Sequence, residues 1–322
     1  MSLEAFLSEW HSDSPYVQVQ TSGSTGAPKP MLVEKRRMLA SARITCDFLG
    51  LQAGDTALLC MSLDYIAGKM MVVRSLERGL RLVCVPPSGH PLAALGDEAI
   101  DFAAMVPLQV YNALQVPAER ERLMQVRQLI IGGGAIDDAL AEALKTFPHA
   151  VWSTYGMTET LSHIALRRLN GTEASDCYTP FPSVRVSLSP DDCLIIDAPE
   201  VCASQLVTND IAELLPDGRF RILGRKDNVV CSGGIKIQIE EVERRLRPHL
   251  QSPFLITRRP DRKFGEVCVL LTEGDADVAR LVCERVLPKY HQPRLCIHVA
   301  RIPLTETGKP ARGEAERLAS QA

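Results

Sequence analysis

The amino-acid sequence predicts an α/β protein with a layered, largely parallel sheet in its amino-terminal part. Strand-like apolar runs alternate there with amphipathic segments of helical periodicity. From residue 169 to residue 199 the pattern changes to short strands between turn residues. The length of 322 residues corresponds to about two domains of roughly 150 residues each, so we expect two domains.

Each predicted element of the amino-terminal part follows from a local pattern. Residues 16–20 alternate between apolar and polar side chains, which is typical of a half-buried strand. Residues 34–49 place apolar side chains at helical spacing and predict an amphipathic helix. Further strands are predicted at 57–60, 82–85, 126–131 and 150–152, and further helices at 66–76, before Gly79, and from the Asp137 cap to about residue 147.

In the carboxy-terminal part, residues 169–199 carry short strands between turn residues, and the remainder alternates between strands and helices. Strands are predicted at 184–186, 194–196, 206–210, 220–223, 253–257, 266–272 and 295–299. Helices are predicted at 240–246 and 275–287. The first of these begins with acidic residues and ends with arginines, in agreement with its dipole.

Composition and charge narrow the class of protein. Hydrophobic residues make up 46% and charged residues 23% of the chain, and the net charge of −3 gives no sign of a nucleic-acid or anionic-membrane partner. The seven histidines form no H-x-x-x-H pair, which argues against a zinc site. The ten cysteines form no C-x-x-C motif and predict buried free thiols. With no apolar run of roughly 18–20 residues and no signal-peptide pattern in residues 1–11, we expect a cytoplasmic protein.

A loop of glycine, proline and hydroxyl residues follows the first predicted strand. Its candidate ligand-binding residues are Thr21, Ser22, Gly23, Ser24, Thr25, Gly26 and Lys29. Backbone N–H groups and hydroxyls of such a loop can converge on a phosphate, and Lys29 adds a positive charge. The stretch does not fit the Walker A pattern, because Pro28 stands where that pattern needs glycine. A Ser/Gly linker is the alternative, but a linker has no need of a lysine after a proline.

Two further turns carry candidate site residues. Gly132, Gly133 and Gly134 lie between a predicted strand and a predicted helix, where they would let a flat ligand approach the backbone or would simply form a tight turn. The run from Tyr155 to Glu159 follows the next strand. Within it, Tyr155 offers an aromatic face for a base, Thr158 a hydroxyl, and Glu159 a carboxylate for Mg²⁺ beside phosphates.

The predicted helix at 66–76 contains two basic residues, Lys69 and Arg74, inside an otherwise apolar run. One interpretation is that both side chains extend to the surface. The other is that one of them meets an anionic substrate group in a pocket.

The stretch T-S-G-S-T-G-A-P-K at 21–29 and the Y-G-M-T-E at 155–159 resemble two signatures of the adenylate-forming superfamily. This superfamily comprises acyl-CoA synthetases, amino-acid adenylation domains and luciferases. The two motifs stand in the family's order, and the resemblance extends from Thr21 to Lys309, nearly the whole chain. It implies that residues 21–29, the glycines at 132–134, and Tyr155, Gly156 and Thr158 bind ATP, and that Glu159 acts in catalysis through Mg²⁺.

The resemblance also implies a nucleotide-binding role for two residues further along. Asp210 stands where the family grips the ribose hydroxyls, although the family's T-G-D is Thr208-Asn209-Asp210 here and lacks the glycine. Arg225 stands where a catalytic arginine contacts the nucleotide.

The same resemblance implies a large domain at residues 1-225 and a small, mobile α+β lid domain at residues 226-322. Asp227 would be the hinge between them. Gly233 and Gly234 would approach the pantetheine arm of CoA. Lys309 would be the catalytic lysine over the carboxylate and the α-phosphate during adenylation. The implied reaction uses ATP, Mg²⁺ and coenzyme A to convert a carboxylic acid into its thioester.

Within the superfamily, the runs at 66–74 and 155–162 are most similar to the o-succinylbenzoate–CoA ligases of menaquinone biosynthesis. Their substrate is a small aromatic dicarboxylate, so the hypothesis is that Arg74 or Lys69 holds its aromatic carboxylate. Only twenty residues precede the loop at 21–29, so we expect a short form that lacks the family's amino-terminal subdomain. Where many relatives have an aromatic–histidine pair, this chain has Asp64-Tyr65.

Three other functions stay open on the sequence. The chain could be another small aryl- or acyl-CoA ligase, an adenylation domain that serves a carrier protein, or a non-catalytic nucleotide-binding protein. A homo-oligomer is compatible with the sequence.

Overall fold

A seven-stranded sheet organises the amino-terminal part of the protein. The computed structural model describes residues 1–20, 30–96, 98–305 and 309–321. Its helices are α1 (Leu3–His11), α2 (Lys35–Leu49), α3 (Ile66–Arg78), α4 (Pro107–Gln115), α5 (Pro117–Met124), α6 (Asp138–Leu144), α7 (Ile239–Leu246), α8 (Ala276–Val286) and α9 (Arg312–Gln321). None of these helices has both the length and the apolar content that a membrane crossing requires.

The strands of the amino-terminal part form a hairpin and the seven-stranded sheet. The hairpin pairs β1 (Tyr16–Gln20) with β2 (Pro30–Glu34). The sheet contains β3 (Thr56–Leu59), β4 (Arg81–Cys84), β5 (Phe102–Met105), β6 (Gln128–Ile131), β7 (Ala150–Gly156), β8 (His163–Arg168) and β9 (Thr179–Pro180) in the order β4–β3–β5–β6–β7–β8–β9. The pairs from β4 to β7 are parallel, and the pairs β7–β8 and β8–β9 are antiparallel. The predicted α/β class and its largely parallel sheet are therefore confirmed.

Two more sheets follow along the chain. The first is antiparallel and consists of β10 (Arg185–Leu188), β11 (Cys193–Asp197), β12 (Leu206–Leu214) and β13 (Phe220–Arg225) in sequence order. The second contains β14 (Val229–Ser232), β15 (Ile235–Gln238), β16 (Phe254–Asp261), β17 (Gly265–Thr272) and β18 (Leu295–His298), and only β17–β18 is parallel. The change of sheet between β13 and β14 falls at the predicted domain boundary, which stays a prediction.

The central strands of the parallel sheet are buried on both faces, as their continuous apolar sequences require. Alternate side chains of β3 enter different cores: Ala57 and Leu59 belong to one cluster and Leu58 to the other. The same alternation separates Phe102 from Ala103 in β5. Helices therefore cover the sheet from both sides, and its strand ends remain available for a site.

The sequence prediction omitted the helices α1, α4, α5 and α9 and the strands β2, β5, β8, β9, β14 and β15. Helix α5 is strongly polar and shows little amphipathic pattern. The ten cysteines, all within the described ranges, are free, and seven of them are buried, as predicted.

The first turn of α3 approaches the preceding loop very closely at Gly68. A Cβ atom on Gly68 would lie 2.3 Å from the carbonyl oxygen of Ser62, a contact that side chains do not make. Glycine is thus required for α3 to pack at this position, and α3 carries both Lys69 and Arg74.

Gly68→Ala is expected to lower the free energy of unfolding by about 1–3 kcal/mol, because the added methyl group must displace backbone. Chemical denaturation followed by circular dichroism measures the change. The matched control is Gly313→Ala in α9, where an added Cβ meets no atom within 4 Å. That variant should be stabilised by a few tenths to about 1 kcal/mol, because alanine favours the helix. Equal denaturation midpoints for the two variants would contradict the close packing at Gly68.

Candidate active site

The glycine turn at 132–134 and the Tyr155 motif lie at the same edge of the parallel sheet. Gly132 directly follows β6, and Tyr155 lies near the end of β7, which pairs with β6 in parallel. A Cβ on Gly132 would lie 2.3 Å from Thr154 Oγ1, so the turn packs directly against the motif strand. Gly133 has a φ of +78°, in the left-handed region that favours glycine. The carboxyl edge of an open α/β sheet is the usual place for a ligand.

Tyr155, Asp210, Arg225 and Asp227 form a continuous network of hydrogen bonds. The Tyr155 hydroxyl donates to Asp210 Oδ2 at 2.6 Å. Arg225 Nη1 donates to Asp210 Oδ1 at 3.0 Å, and its Nε and Nη2 donate to the two carboxylate oxygens of Asp227 at 2.8 Å each. Hydrogen bonding to Arg225 lowers the pKa of Asp227, and the pairing raises the pKa of Arg225. Tyr155, Asp210 and Arg225 are predicted to bind the nucleotide, and Asp227 is predicted to be the hinge. These four residues are therefore linked in series by direct hydrogen bonds.

The Tyr155 ring is set among aromatic side chains. It lies edge-on to Phe220 at a centroid distance of 5.2 Å and tilted toward Tyr178 at 5.7 Å. Burial, and then the negative charge of Asp210, raise the pKa of the Tyr155 hydroxyl. The phenol stays protonated at neutral pH and acts as a hydrogen-bond donor toward Asp210.

Lys309 lies close enough to Arg225 for their charges to interact. Its backbone is fixed by a bridge between Leu304 and Pro310 and by paired hydrogen bonds with Thr305. Burial, and then the positive charge of Arg225, lower the pKa of Lys309. The residues predicted to act on the nucleotide and the predicted catalytic lysine thus share one electrostatic environment.

Thr158 and Glu159 lie in a short 3-10 turn, Thr158–Thr160, after β7. Thr158 is buried and Glu159 is exposed. Among the described residues, no group of three or more His, Cys, Asp or Glu side chains is positioned to hold a metal ion. A Mg²⁺ site here would combine the Glu159 carboxylate with phosphate oxygens of the nucleotide, a composition that suits this ion.

Gly156 allows the chain beyond this turn to fold back beneath the motif. A Cβ on Gly156 would lie 2.2 Å from the carbonyl oxygen of Ser162 and 2.4 Å from Cα of His163. Leu161 has a φ of +65°, a strained conformation for a residue with a side chain. The turn therefore directs Ser162 toward Arg74 of α3 and His163 toward Thr45 of α2.

Two of the cations of α3, Lys69 and Arg74, are buried and point to different places. The Lys69 ammonium donates to the carbonyl oxygen of Gln18 in β1 and lies 5.6 Å above the Phe6 ring. Arg74 Nη2 instead donates to Ser162 Oγ at 2.6 Å. The two residues are five positions apart, which places them about 140° apart around a helix that turns roughly 100° per residue. Neither side chain extends to the surface.

The Arg74 guanidinium has no carboxylate within ion-pair distance in the described ranges. Its Nη1 faces the sulfur of Met71 at 3.8 Å, and its buried Nε has no hydrogen-bond partner there. Burial lowers the pKa of Arg74 to about 10, so it is protonated at neutral pH. The nearby Cys46 thiol cannot balance this charge, because burial raises its pKa to about 11. A buried cation with free donors is a strong attractor for an anion.

Gly233 and Gly234 form the turn between β14 and β15, with φ values of +58° and +86°. The Gly233 amide donates to the carbonyl oxygen of Phe264 at 2.9 Å. Gly233 also lines a cavity of about 130 Å³ whose other walls include Phe264 and Arg294. None of the hydrogen bonds described above joins these glycines to Tyr155 or Arg225.

The predicted site residues thus form two groups, and the others lie apart from these groups or outside the described residues. One group contains Tyr155, Asp210, Arg225 and Asp227, with Lys309 near Arg225, and the other places Arg74 against the turn after the Tyr155 motif. Thr21, Ser22, Gly23, Ser24, Thr25, Gly26 and Lys29 lie outside the described residues. Sequence reasoning did not single out His163 or Thr45 near Arg74, and nothing in their local sequence marks them.

The fold and the carboxyl-edge site define a class of nucleotide-using α/β enzymes, and comparison with known proteins identifies the family. A model of the AMP-binding enzyme family matches residues 4–199. The chain belongs to this family, as predicted.

Individual relatives agree with this assignment. The 2-succinylbenzoate–CoA ligase of Bacillus mycoides (strain KBAB4) is 24% identical over 99% of this chain and 73% of its own length. A solved structure of an acyl-CoA synthetase (AMP-forming)/AMP-acid ligase II-like protein from Dyadobacter fermentans is 31% identical, with a TM-score of 0.67, and the match covers 97% of this chain and 92% of that one. MenE from Bacillus subtilis, an O-succinylbenzoate coenzyme A synthetase solved with ATP and magnesium ion, has a TM-score of 0.77 at 22% identity over 92% of this chain and 69% of its own.

Asp210→Asn is expected to weaken AMP binding about 10- to 100-fold, because hydrogen bonds to a charged group contribute roughly 1.5–3 kcal/mol. Titration calorimetry with AMP measures the dissociation constant. The control is Asp217→Asn. Asp217 is an exposed aspartate that pairs with Arg219 in the turn between β12, which carries Asp210, and β13. If Asp210→Asn and Asp217→Asn bind AMP equally well, Asp210 has no part in the nucleotide site.

Proposed function

We propose that this protein is an AMP-forming acid–CoA ligase whose acid is o-succinylbenzoate. The observation that carries the choice of acid is Arg74, a buried guanidinium with donors free in the described part of the chain and no carboxylate beside it. An aromatic dicarboxylate has one carboxylate to activate and a second that needs a cation in an apolar environment. The relatives named for this substrate support the choice.

Arg74 is better suited than Lys69 to bind the second carboxylate. The Lys69 ammonium already binds the Gln18 carbonyl and faces the Phe6 ring, so it ties α3 to the amino-terminal segment. Arg74 has an unpartnered Nε and only a thioether beside Nη1. Two neighbouring N–H groups of a guanidinium match the two oxygens of a carboxylate.

In the first half-reaction, the succinyl carboxylate of the acid attacks the α-phosphate of ATP. A C–O–P bond forms, the bond to the β-phosphate breaks, and pyrophosphate leaves with the electron pair. Two anions must approach each other, so positive charge at the reacting atoms supplies much of the catalysis. Lys309 would neutralise the carboxylate and the α-phosphate, and Arg225 would assist at the nucleotide. Glu159 would hold Mg²⁺, which when bound offsets the charge of the phosphates.

In the second half-reaction, the CoA thiolate attacks the carbonyl carbon of the acyl-adenylate. The C–S bond forms, the C–O bond to phosphate breaks, and AMP leaves. The turn at Gly233 and Gly234 has no side chains, which suits a close approach of the pantetheine arm. Gly233 also lines a cavity whose walls include Lys289 and Arg294, two cations that suit the phosphate groups of CoA. Asp227, in the short 3-10 turn Lys226–Asn228 between β13 and β14, would be the hinge that exchanges the two arrangements.

Arg74→Met is expected to raise the KM for o-succinylbenzoate at least tenfold, because the buried ion pair with the acid is lost. Pyrophosphate release with ATP and Mg²⁺, followed by thioester formation on adding CoA, measures both half-reactions. The KM for ATP should not change. The control is Arg43→Met on α2, where the guanidinium pairs with Glu77 at the surface.

An Arg74→Met enzyme with an unchanged KM for this acid would refute the assignment. Release with benzoate or fatty acids but not with o-succinylbenzoate would identify another acyl-CoA ligase. Transfer to a carrier protein in place of CoA would identify an adenylation domain.

The rate of pyrophosphate release is expected to decline as pH rises, and the decline should begin at a pH below the ordinary lysine pKa near 10.4. The reason is that the lowered pKa of Lys309 lets it lose its proton before an ordinary lysine does. Because the pKa of Lys309 is lowered, its charged form disappears as pH rises through a folded-state pKa below the ordinary lysine value. The pH–rate profile of single-turnover adenylation tests this. The Lys309→Arg enzyme should be slower than the wild type, but its guanidinium stays protonated at high pH. Its rate of pyrophosphate release should therefore show no decline at alkaline pH. The same alkaline decline in both enzymes would show that another group titrates.

A further inference from the structure

Arg74 is the first member of a buried chain of hydrogen bonds that runs from α3 to α2. Its Nη2 donates to Ser162 Oγ at 2.6 Å, and Ser162 Oγ lies 3.2 Å from His163 Nδ1. On the other side of the ring, His163 Nε2 lies 3.1 Å from Thr45 Oγ1. The Thr45 hydroxyl donates to the carbonyl oxygen of Ser41 at 3.0 Å. Arg74, His163, Thr45 and Ser41 are all buried.

In this chain of hydrogen bonds, the chemistry of the first and the last group determines which atom donates in every bond. A guanidinium N–H only donates, so Ser162 Oγ accepts from Arg74 and gives its own proton to His163 Nδ1. The imidazole proton is then on Nε2, which donates to Thr45, and Thr45 donates to a carbonyl oxygen that only accepts. With the proton on Nδ1 instead, the Ser162 hydroxyl would have no acceptor among these atoms. Each donor thus has one acceptor in a single tautomer.

The electrostatic environment keeps the imidazole of His163 neutral. Burial, and then the positive charge of Arg74, hold its pKa well below the ordinary range. Cys46 of α2 interacts with Arg74 but remains a neutral thiol. The other face of the imidazole meets the Phe181 ring at a centroid distance of 5.5 Å. His163 therefore accepts the Ser162 proton at Nδ1 over the whole neutral range.

We propose that His163 and Thr45 are positioning residues for the recognition of the acid. They orient the Ser162 hydroxyl so that its oxygen accepts from Arg74 Nη2, which fixes the guanidinium and leaves its unpartnered Nε–H available to an incoming carboxylate. This inference rests on the proposed role of Arg74. An arginine side chain has high rotamer entropy, and fixing it in advance lowers the cost of binding the acid.

The test compares Thr45→Val with Thr45→Ser. Valine has the shape of threonine but no hydroxyl, so it removes the acceptor of His163 Nε2–H, whereas serine keeps it. Nitrogen-15 NMR of labelled enzyme reports which ring nitrogen of His163 carries the proton, and His163→Asn identifies its signals among the seven histidines. Steady-state kinetics give the KM for o-succinylbenzoate and for ATP.

The wild-type enzyme should show His163 protonated on Nε2. Thr45→Val should raise the KM for o-succinylbenzoate about three- to tenfold, as expected for one hydrogen bond. It should also shift the tautomer toward Nδ1–H and leave kcat and the KM for ATP unchanged. Thr45→Ser should resemble the wild type in all of these measurements.

Two results would overturn the inference. One is an Nδ1–H tautomer in the wild-type enzyme, a measurement that does not depend on Thr45→Val and so stands even if that variant fails to fold. The other is a Thr45→Val enzyme with normal KM for the acid while Arg74→Met shows the expected rise. A normal KM in Arg74→Met would instead overturn the proposed function, and the role of His163 in recognition with it.

Discussion

The guanidinium of Arg225 joins the separate parts of the candidate site. It lies at the end of β13 and donates to both Asp210 and Asp227, and Asp210 also accepts from Tyr155 on the seven-stranded sheet. Because a guanidinium is planar and always charged, it fixes both carboxylates in direction as well as in distance. Its charge also reaches Lys309 and lowers the pKa of that residue. Arg225 therefore connects the predicted hinge and the predicted catalytic lysine, and through Asp210 it connects them to Tyr155 on the sheet.

The parts of the site that could be predicted are those in which a short sequence determines its own geometry. The glycines at 132–134 and the motif at 155–159 form turns after strands, and parallel strands bring both turns to one edge. The contact of Arg74 with Ser162 joins residues 88 positions apart and has no local signal. The bond from Lys69 to Gln18 crosses 51 positions, and it depends on how the hairpin of β1 and β2 packs on α3.

The helix that carries Lys69 and Arg74 shows how two similar residues acquire different roles. Both are buried at 2% exposure, so neither is a solvated surface residue. The spacing of five positions directs one to the amino-terminal segment and the other to the turn after β7. This divergence follows from helix geometry and could have been derived from the sequence, whereas the partner that each side chain meets could not.

Gly156 and the left-handed Leu161 place the partner of Arg74 within seven residues of Tyr155. The segment predicted to face the nucleotide and the segment proposed to support acid recognition are thus one continuous peptide. Exchange of α3 alone with a ligase of different specificity would transfer Arg74 without its acceptor Ser162. On the proposed role of Arg74, a change of acid would require that the helix and this distant loop be exchanged together, which would restrict the crossovers that yield an active enzyme.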